Sequence, residues 1–267
     1  MRIVITGSSS GIGQHLAEKL TAAGHEIWGL ARSAQKAVYA TSVCDVSQWA
    51  QVERARAEIA QRWPHVDAVI CAAAIQGAIG PAMQVEPQRW SETIRVDLDG
   101  TYFVVRAFWD LLRQSPRRAK VICFSGGGAT KARPNFSAYA AAKTGVVRLV
   151  ETLAAEWQGV SIDINAVAPG AINTAMTRET ARLGPEFSGC EEYEAAQRQL
   201  TQGGQSIEKA FGLVEFLLSE ESDGLTGRLL SAQWDNWAGL PAHAAKLAES
   251  EIYQLRRILP EERGVKF

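Results

Sequence analysis

Short apolar runs alternate along the chain with stretches in which apolar residues recur every three or four positions. The β-branched or apolar runs predict strands at residues 2–6, 26–30, 41–45, 66–75, 121–124, 161–167 and 227–231. The helical spacing predicts helices between the first glycine turn and Gly24, and over residues 49–62, 87–115, 139–157 and 206–218. Strand and helix alternate throughout, which predicts an α/β fold: a doubly wound parallel sheet of Rossmann type, with helices on both faces, in a single domain.

Three stretches refine this pattern. The run at 66–75 is apolar on both faces, as in a central parallel strand, and the pattern at 87–115 breaks locally at Gly100. Residues 175–205 lack clean periodicity and hold several glycines, which predicts a mobile cover over a site. We divide the chain into a domain at 1–231 and an extension at 232–267, with a helical stretch around 241–259, that packs on the body or on a neighbouring subunit.

Composition and charge narrow the class of partner. The chain has 267 residues, 46% hydrophobic and 21% charged, with a formal net charge of -1. This balance favours a small-molecule partner and argues against nucleic acid or an anionic membrane surface. The apolar start at 3–5 is too short for a signal segment and no run reaches a spanning length, so we expect a soluble, cytoplasmic protein. The four cysteines lack metal-ligand spacing, and no metal site is predicted.

A glycine-rich turn, G-S-S-S-G-I-G, joins the first strand to the first helix. Glycines there let the backbone approach a diphosphate, and the helix N-terminus offers free N–H groups to it. A tight strand-to-helix turn also needs glycine for steric reasons alone, but the position at the first βα junction favours dinucleotide binding. The candidate residues are Gly7, Ser9, Ser10, Gly11, Ile12 and Gly13.

The ends of the next strands carry further candidates. An acid after the second strand would accept the ribose hydroxyls of NAD, whereas this chain has Arg32, which suits the extra phosphate of NADP. NADP is therefore predicted, with NAD as the alternative if Arg32 is only a surface charge. Asp45 is placed to meet an adenine edge or to cap the following helix. The small residues Ala72, Ala73 and Ala74 would let a flat cofactor lie against the backbone.

The strand at 121–124 delivers Ser125 to a loop that leads into the helix bearing Tyr139 and Lys143. Tyr and Lys at i and i+4 lie on one face of a helix. An ammonium beside a phenol stabilises the phenolate and lowers its pKa, so that the tyrosine can exchange a proton with an alcohol at neutral pH. On the Tyr139–Lys143 spacing alone, the alternative is an ordinary tyrosine near a solvated lysine.

Five segments together resemble the short-chain dehydrogenase/reductase family, in the family's order and over about residues 1–231. They are T-G-S-S-S-G-I-G (Thr6–Gly13), C-D-V (Cys44–Val46), V-D-L-D-G-T (Val96–Thr101), Y-A-A-A-K (Tyr139–Lys143) and N-A-V-A-P-G-A-I-N-T (Asn165–Thr174). The resemblance implies an NADP(H)-dependent oxidoreductase that interconverts a secondary alcohol and a carbonyl by hydride transfer. It also implies a homodimer or homotetramer formed through the helices at 87–115 and 139–157.

The same resemblance implies roles for particular residues. Tyr139 would be the general acid or base, and Lys143 would hold the ribose and tune Tyr139. The remaining cofactor contacts would come from Asp45 and Val46 at the adenine, from Ala72–Ala74 along the cofactor, and from Pro169, Gly170, Ile172 and Thr174 around the carboxamide.

Three departures from the family bear on the chemistry. Asp97 stands where the family keeps an asparagine, and it is expected to favour the charged form of Lys143 and to order a proton-relay water. The stretch Ala72–Ala74 lies where the family usually has N-N-A-G, and the loss of those asparagines removes side-chain hydrogen bonds that brace the central strand. Gly126 replaces the substrate-polarising serine, so Ser125 is the nearest hydroxyl, either brought into place by the glycine loop or turned into the core. These changes keep open a catalytically weak or inactive NAD(P)-binding protein with a sensory or assembly role.

The tail adds Trp234, Asp235 and Trp237 after the last strand. Aromatic faces and a carboxylate would suit a sugar-like or ring-bearing substrate, but packing against the body or a neighbouring subunit is the favoured interpretation.

Overall fold

The computed structural model describes residues 1–266 and places seven strands in one parallel sheet of order β3-β2-β1-β4-β5-β6-β7. Every neighbouring pair runs parallel. The strands are β1 Arg2–Thr6, β2 Glu26–Ala31, β3 Ala40–Val43, β4 Ala68–Cys71, β5 Ala119–Phe124, β6 Ile162–Ala168 and β7 Leu229–Ser231. The predicted doubly wound sheet is confirmed.

Nine α-helices lie within the described residues, eight of them between strands and α9 after the last strand. They are α1 Gly11–Ala22, α2 Trp49–Ala60, α3 Pro87–Ile94, α4 Gly100–Arg113, α5 Ser137–Glu156, α6 Ala175–Ser188, α7 Cys190–Gln202, α8 Ile207–Leu218 and α9 Ala244–Ala248. A π-helical turn, Arg95–Asp99, joins α3 to α4. Short 3₁₀ turns lie at Glu220–Ser222, Trp237–His243 and Pro260–Arg263. Within residues 1–266, no helix has both the length and the apolarity needed to cross a membrane.

Apolar side chains cover both faces of the sheet. Successive residues of a strand point to opposite faces, so Val4 joins one core cluster while Ile3 and Ile5 join the other. The first cluster is closed by α2, α4 and α5, and the second by α1 and α8. This double covering explains why the central strands read as nearly continuous apolar runs.

The strand order reverses between β1 and β4, and this is the point at which doubly wound sheets bind ligands. Because all strands are parallel, the loops after β1, β2, β4, β5 and β6 leave from one edge of the sheet. The predicted cofactor and catalytic residues therefore meet at this edge.

The segment at 175–205, for which the sequence shows no clean periodicity, is helical, and its role as a mobile cover over a site stays a prediction. This segment forms two helices, α6 and α7, with non-helical backbone at Gly184, where φ is 76°. The buried positions of α6 are Thr177, Thr180 and Ser188. Since hydroxyl residues carry the buried face, hydrophobic periodicity does not reveal the helix.

The boundaries of two other elements differ from the prediction. Strand β4 ends at Cys71, and the apolar run continues to Ile75 as loop. The break in the helical pattern at 87–115 lies at the π turn, Arg95–Asp99, immediately before Gly100. The π turn matters for the site because it contains Asp97.

In the tail, the predicted helix at 241–259 was wrong beyond Ala248. The guanidinium of Arg228 donates to the carbonyls of Leu247, Ser250 and Ile252, so these carbonyls face a side chain instead of continuing a helix. The tail packs on its own body: Leu229 N donates to Tyr253 O at 2.8 Å. The domain division at residue 231 stays a prediction.

The tail tryptophans differ from each other. The ring of Trp237 packs on that of Phe216, with 5.7 Å between centroids, whereas Trp234 is 79% exposed. The carboxylate of Asp235 accepts from the backbone N–H of Ser231 at 2.7 Å. Packing against the body therefore describes Trp237, and packing of Trp234 on a neighbouring subunit stays a prediction.

Candidate active site

Tyr139 and Lys143 lie in the first turns of α5, which begins at Ser137 beside the end of β5. Both side chains are buried, and Lys143 is only 1% exposed. The Lys143 Nζ lies 5.6 Å from the centroid of the Tyr139 ring and donates to the Phe124 carbonyl at 3.2 Å. The helix therefore sets a fixed ammonium beside the phenol, as the Tyr–Lys spacing predicts.

Asp97 completes a buried ion pair with Lys143. Its Oδ1 accepts from the backbone N–H of Ile75 at 2.9 Å, and its Oδ2 lies 3.4 Å from Lys143 Nζ. The residue is fully buried in the π turn, and such turns are frequent at functional sites. The carboxylate thus links the loop after β4 to α5.

Burial and charge act in opposite directions on these three groups. Burial lowers the pKa of Lys143, but Asp97 and Tyr139 outweigh it, and the net pKa is raised. Burial raises the pKa of Asp97 despite the nearby ammonium. Burial also raises the pKa of Tyr139, with a further rise from Asp97, while Lys143 and Arg133 lower it. The net direction for Tyr139 is opposite to the lowered pKa expected from the Tyr–Lys spacing, because desolvation of the phenolate is the larger effect.

Ser125 and Gly126 point in different directions. The Oγ of Ser125 donates to the backbone carbonyl of Lys143 at 3.3 Å, and the residue is buried. A Cβ built on Gly126 would lie 2.4 Å from the Tyr139 hydroxyl oxygen. The structure therefore brings Tyr139, Lys143 and Asp97 together, and gives Ser125 a contact with the α5 backbone in place of one with the Tyr139 hydroxyl.

The first βα loop has the features that a diphosphate site needs. Gly7 and Gly11 have φ of 71° and 57°, and a Cβ on Gly13 would lie 2.4 Å from the Gly7 carbonyl oxygen. No side chain caps the N-terminus of α1, and Ser9 and Ser10 are exposed there. The free N–H groups of the first turn, including that of Ile12, are left to an anion. The chain thus fits the phosphate part of a dinucleotide.

Thr6 braces the loop after β4, where the family has asparagines. Its Oγ1 accepts from the backbone N–H groups of Ala72 and Ala73, both at 3.1 Å. A Cβ on Gly7 would lie 2.8 Å from the Ala73 Cα, so the two loops pack against each other. Ala74 is half-buried beyond them. A hydroxyl on β1 thus braces this loop.

At the adenine end, Arg32 is exposed on the loop after β2. The Oδ1 of Asp45 accepts from the N–H and hydroxyl of Ser47, at 3.0 and 2.8 Å. Asp45 does not cap α2, since Gln48 is the N-cap residue. Val46 is buried beside Gly100. Arg32, Asp45 and Val46 therefore lie in the loops after β2 and β3, where the adenine end of the cofactor is predicted.

The loop after β6 contacts the first βα loop. The Thr174 Cγ2 would lie 3.7 Å from a Cβ on Gly11, and Ile172 is buried. Two glutamines that the sequence prediction missed brace this loop. Gln233 Nε2 donates to the Pro169 carbonyl at 2.9 Å, and Gln205 Oε1 accepts from the N–H after Gly170 at 2.7 Å. No local motif marks these glutamines, because both come from segments distant in sequence.

Arg133 was also missed, although its place between the glycine loop and Tyr139 was a signal. The Arg133 Cζ lies 5.6 Å from the centroid of the Tyr139 ring, and its guanidinium pairs with Glu192 of α7. On the other side of α6, the Thr180 hydroxyl donates to Gln76 Oε1 at 3.0 Å. The α6–α7 pair is thus attached to the site by polar contacts.

Comparison with known proteins identifies the family. Residues 7–233 match the family described as Enoyl-(Acyl carrier protein) reductase. Levodione reductase of Leifsonia aquatica is 30% identical over 235 residues, which cover 82% of this chain and 88% of that protein. Galactitol 2-dehydrogenase (L-tagatose-forming) of Cereibacter sphaeroides is 33% identical over 184 residues, covering 65% and 72%.

Solved structures agree. The ligand-free aldohexose dehydrogenase of Thermoplasma acidophilum is similar with a TM-score of 0.77 at 25% identity, over 86% of this chain and 91% of that chain. The crystal structure of levodione reductase gives 0.76 at 26% identity, over 90% and 97%. Fold and site together define an NAD(P)-dependent oxidoreductase. The chain belongs to the short-chain dehydrogenase/reductase family.

Proposed function

We propose that this oxidoreductase uses NADP(H) to interconvert a secondary alcohol and a carbonyl, with Tyr139 as the general acid and base. The observation that carries the proposal is the buried Tyr139–Lys143 pair at the sheet edge where the predicted cofactor loops meet. The names of two relatives, levodione reductase and galactitol 2-dehydrogenase, refer to a dione and a polyol, which favours ketone and alcohol substrates.

The cofactor would lie along this edge. The first turn of α1 would bind the diphosphate, the loop after β6 the carboxamide, and Lys143 the ribose. Arg32, which is exposed on the loop after β2, would bind the extra phosphate of NADP. When bound, the nicotinamide supplies hydride transfer, and the chain supplies binding, orientation and proton transfer.

The proton chemistry follows from the charges around Tyr139. A raised pKa keeps the phenol protonated at neutral pH, which suits proton donation to a carbonyl oxygen during reduction. Alcohol oxidation needs the phenolate, so its rate should rise with pH through the Tyr139 pKa. Lys143 favours the phenolate, and Asp97 opposes it while fixing the ammonium.

The first test is replacement of Tyr139 by Phe. NADPH oxidation is followed with ketones and diones, and NADP reduction with polyols. Loss of proton transfer typically costs about 10²–10⁴-fold in rate, so Tyr139→Phe should lower kcat by that amount while NADPH affinity is kept. Tyr102→Phe, at a residue 44% exposed on α4, is the control. An unchanged kcat in Tyr139→Phe would contradict the mechanism.

The second test addresses the cofactor. Arg32→Ala should weaken NADPH binding by roughly tenfold, the loss of one charge-assisted contact to phosphate, and leave NADH binding unchanged. Arg113→Ala, at the end of α4 and away from the site, is the control. If Arg32→Ala leaves the NADPH/NADH preference unchanged, the assignment of NADP from Arg32 fails and NAD becomes the preferred alternative.

One observation favours a second function, that of an NAD(P)-binding protein with weak or no catalysis and a sensory or assembly role. The Ser125 hydroxyl is bonded to the Lys143 carbonyl and position 126 has no side chain. A missing donor at the reacting oxygen costs about 2.7–4 kcal/mol of transition-state stabilisation. Tight NADPH binding with no turnover across the panel, and no effect of Tyr139→Phe, would support this function.

We also propose a homodimer or homotetramer through α4 and α5. Tyr102 and Trp49 are 44% and 36% exposed, and the ring of Phe103 lies 5.6 Å from that of Trp49. An aromatic patch of this kind suits burial between copies. Sedimentation equilibrium tests it, with a monomer at all concentrations as the contrary result.

A further inference from the structure

Arg133 lies on the face of two aromatic rings in the loop between β5 and α5. Its Cζ is 3.8 Å from the centroid of Phe136 and 5.6 Å from that of Tyr139. The side chain is only 15% exposed. A guanidinium on an aromatic face is attracted by the electron density of the ring, and more strongly when water is excluded. Arg133 is therefore a second cation close to Tyr139, on a different element from Lys143.

The glycine loop gives the guanidinium its place. A Cβ on Gly127 would lie 3.8–3.9 Å from the Cδ, Nε and NH1 of Arg133, and a Cβ on Gly128 would lie 3.4 Å from its Cβ. Gly126 leaves the corresponding space to the Tyr139 hydroxyl. The three glycines, Gly126–Gly128, thus form a stretch without side chains, and Arg133 and Tyr139 lie against it. A side chain at 126 would meet the Tyr139 hydroxyl, whereas a Cβ at 127 would only touch Arg133 at an ordinary van der Waals distance.

Glu192 fixes the orientation of this cation. Arg133 Nε donates to Glu192 Oε1 at 3.0 Å, and NH2 donates to Oε2 at 2.7 Å. Such a bidentate pair restricts the guanidinium plane as well as its position. Glu192 is in the first turn of α7, so the orientation of Arg133 depends on the placement of the α6–α7 pair.

We propose that Arg133 is a positioning residue for Tyr139, holding its ring and supplying positive charge on its face, and that Glu192 of α7 fixes this arrangement through its bidentate pair with the guanidinium. The proposal rests on the proposed function of Tyr139.

Four charged groups act on the phenol, and each comes from a different element. Lys143 approaches from α5, Asp97 from the π turn and Arg133 from the loop, while Glu192 of α7 acts through Arg133. Burial, with Asp97, outweighs the stabilisation that Lys143 and Arg133 give to the phenolate. Removing Arg133 should therefore make the phenolate harder to form.

The kinetic test uses Arg133→Met and Glu192→Gln, with Lys131→Met and Glu191→Gln as neighbouring exposed controls. In Arg133→Met the pH midpoint of kcat/KM for alcohol oxidation should rise by about one unit, equivalent to about a tenfold loss below the midpoint. Arg133→Lys, which keeps the positive charge, should raise the midpoint by less than Arg133→Met does. Glu192→Gln, which removes the charge from the bidentate pair, should raise the same midpoint by less than Arg133→Met does.

A measurement without turnover separates this proposal from the proposed function. Ionisation of Tyr139 is followed by tyrosinate absorbance, as the difference between the wild type and Tyr139→Phe, and hydrogen exchange reports the opening of α7. Arg133→Met should move the titration to higher pH, and Glu192→Gln should speed exchange in α7. Equal midpoints and equal titrations in Arg133→Met and wild type would overturn the proposal, even if Tyr139 is essential. If no substrate is turned over but the titration moves, the positioning role stands and the proposed function fails.

Discussion

A side chain at position 126 gives a direct test of the site geometry. A Cβ there would lie 2.4 Å from the Tyr139 hydroxyl oxygen, 3.1 Å from Cζ and 3.2 Å from Cε1. Ordinary van der Waals contact begins near 3.4 Å, so the hydroxyl must move by about 1 Å. Arg133 and Lys143 flank the ring, and the hydroxyl cannot recede without disturbing one of them.

The size of the effect follows from this displacement. A misplacement of about 1 Å at a reacting group costs on the order of 10²-fold in rate. Gly126→Ala, which adds only the clash, should therefore lower kcat by about 10²-fold. Gly126→Ser adds the same clash and a hydroxyl, and one donor at the reacting oxygen is worth about 10²–10³-fold. We expect Gly126→Ser to lie between Gly126→Ala and the wild type, because the displaced tyrosine cannot use the new donor fully.

The assay is kcat for NADPH-dependent reduction of the best ketone, with the thermal midpoint of unfolding measured alongside. Gly127→Ala is the matched control, since a Cβ there meets only Arg133 at 3.8 Å or more. Wild-type kcat in Gly126→Ala would show that Tyr139 does not occupy the space beside residue 126. A kcat above wild type in Gly126→Ser would show that the hydroxyl outweighs the clash, and either result refutes the reasoning.

Three further predictions concern charge and packing. Asp97→Asn should move the pH midpoint of alcohol oxidation down by about one unit, because the carboxylate raises the pKa of Tyr139; an unchanged pH profile would contradict this. Asp67 accepts a backbone N–H of β1 at 2.8 Å and a serine hydroxyl at 2.7 Å, and these bonds hold its pKa low despite burial. Asp67→Asn should lower the free energy of unfolding at pH 7 by about 1–3 kcal/mol. The stability that the lowered Asp67 pKa supplies is lost as the pH falls. The difference in unfolding free energy between wild type and Asp67→Asn, measured from denaturant curves, should therefore be smaller near pH 3 than at pH 7. Gly13→Ala should weaken NADPH binding at least tenfold in a calorimetric titration, because a Cβ would lie 2.4 Å from the Gly7 carbonyl oxygen; wild-type affinity would refute the tight turn.

The sheet was predictable because its strands are covered on both faces. The runs at 2–6 and 121–124 are apolar at nearly every position, and both become buried strands of the sheet. Parallel strands of this type place all following loops at one edge, so the meeting of Gly7, Ala72 and Pro169 also follows from the sequence. The catalytic pair was predictable for the same reason, because Tyr139 and Lys143 need only a helix to be neighbours.

The orientation of Ser125 could not be read from its position near the motif. The β5 ladder continues through Ser125, whose N–H donates to the Val167 carbonyl at 2.8 Å. Successive residues of an extended segment point to opposite sides, so a hydroxyl displaced by one residue points away from the site. Ser125 accordingly contacts the Lys143 backbone, and Gly126 faces Tyr139. A flexible glycine loop does not correct this shift, since the ladder ends only after Ser125.

The helices α6 and α7 were missed because they bury few apolar residues: α6 buries hydroxyl residues, and α7 buries only Ala196. Thr180 reaches Gln76, and Glu192 reaches Arg133, across sequence separations that no local pattern records. The tail is similar, because Arg228, which precedes β7 in the sequence, donates to the carbonyls of Ser250 and Ile252 just after α9. In each case a long-range polar contact decides the local structure.

The departures from the family pattern at positions 97 and 126 are linked by one electrostatic requirement. An asparagine beside Lys143 would leave the positive charge of the ammonium to act on the tyrosine, whereas the Asp97 carboxylate, 3.4 Å from the ammonium, offsets part of that charge. Arg133 supplies a second cation at the ring of Tyr139, 5.6 Å from its centroid. The glycine at 126 is therefore more than a lost serine: it leaves room for the hydroxyl of a tyrosine whose charge balance includes a loop arginine that Glu192 of α7 holds in place.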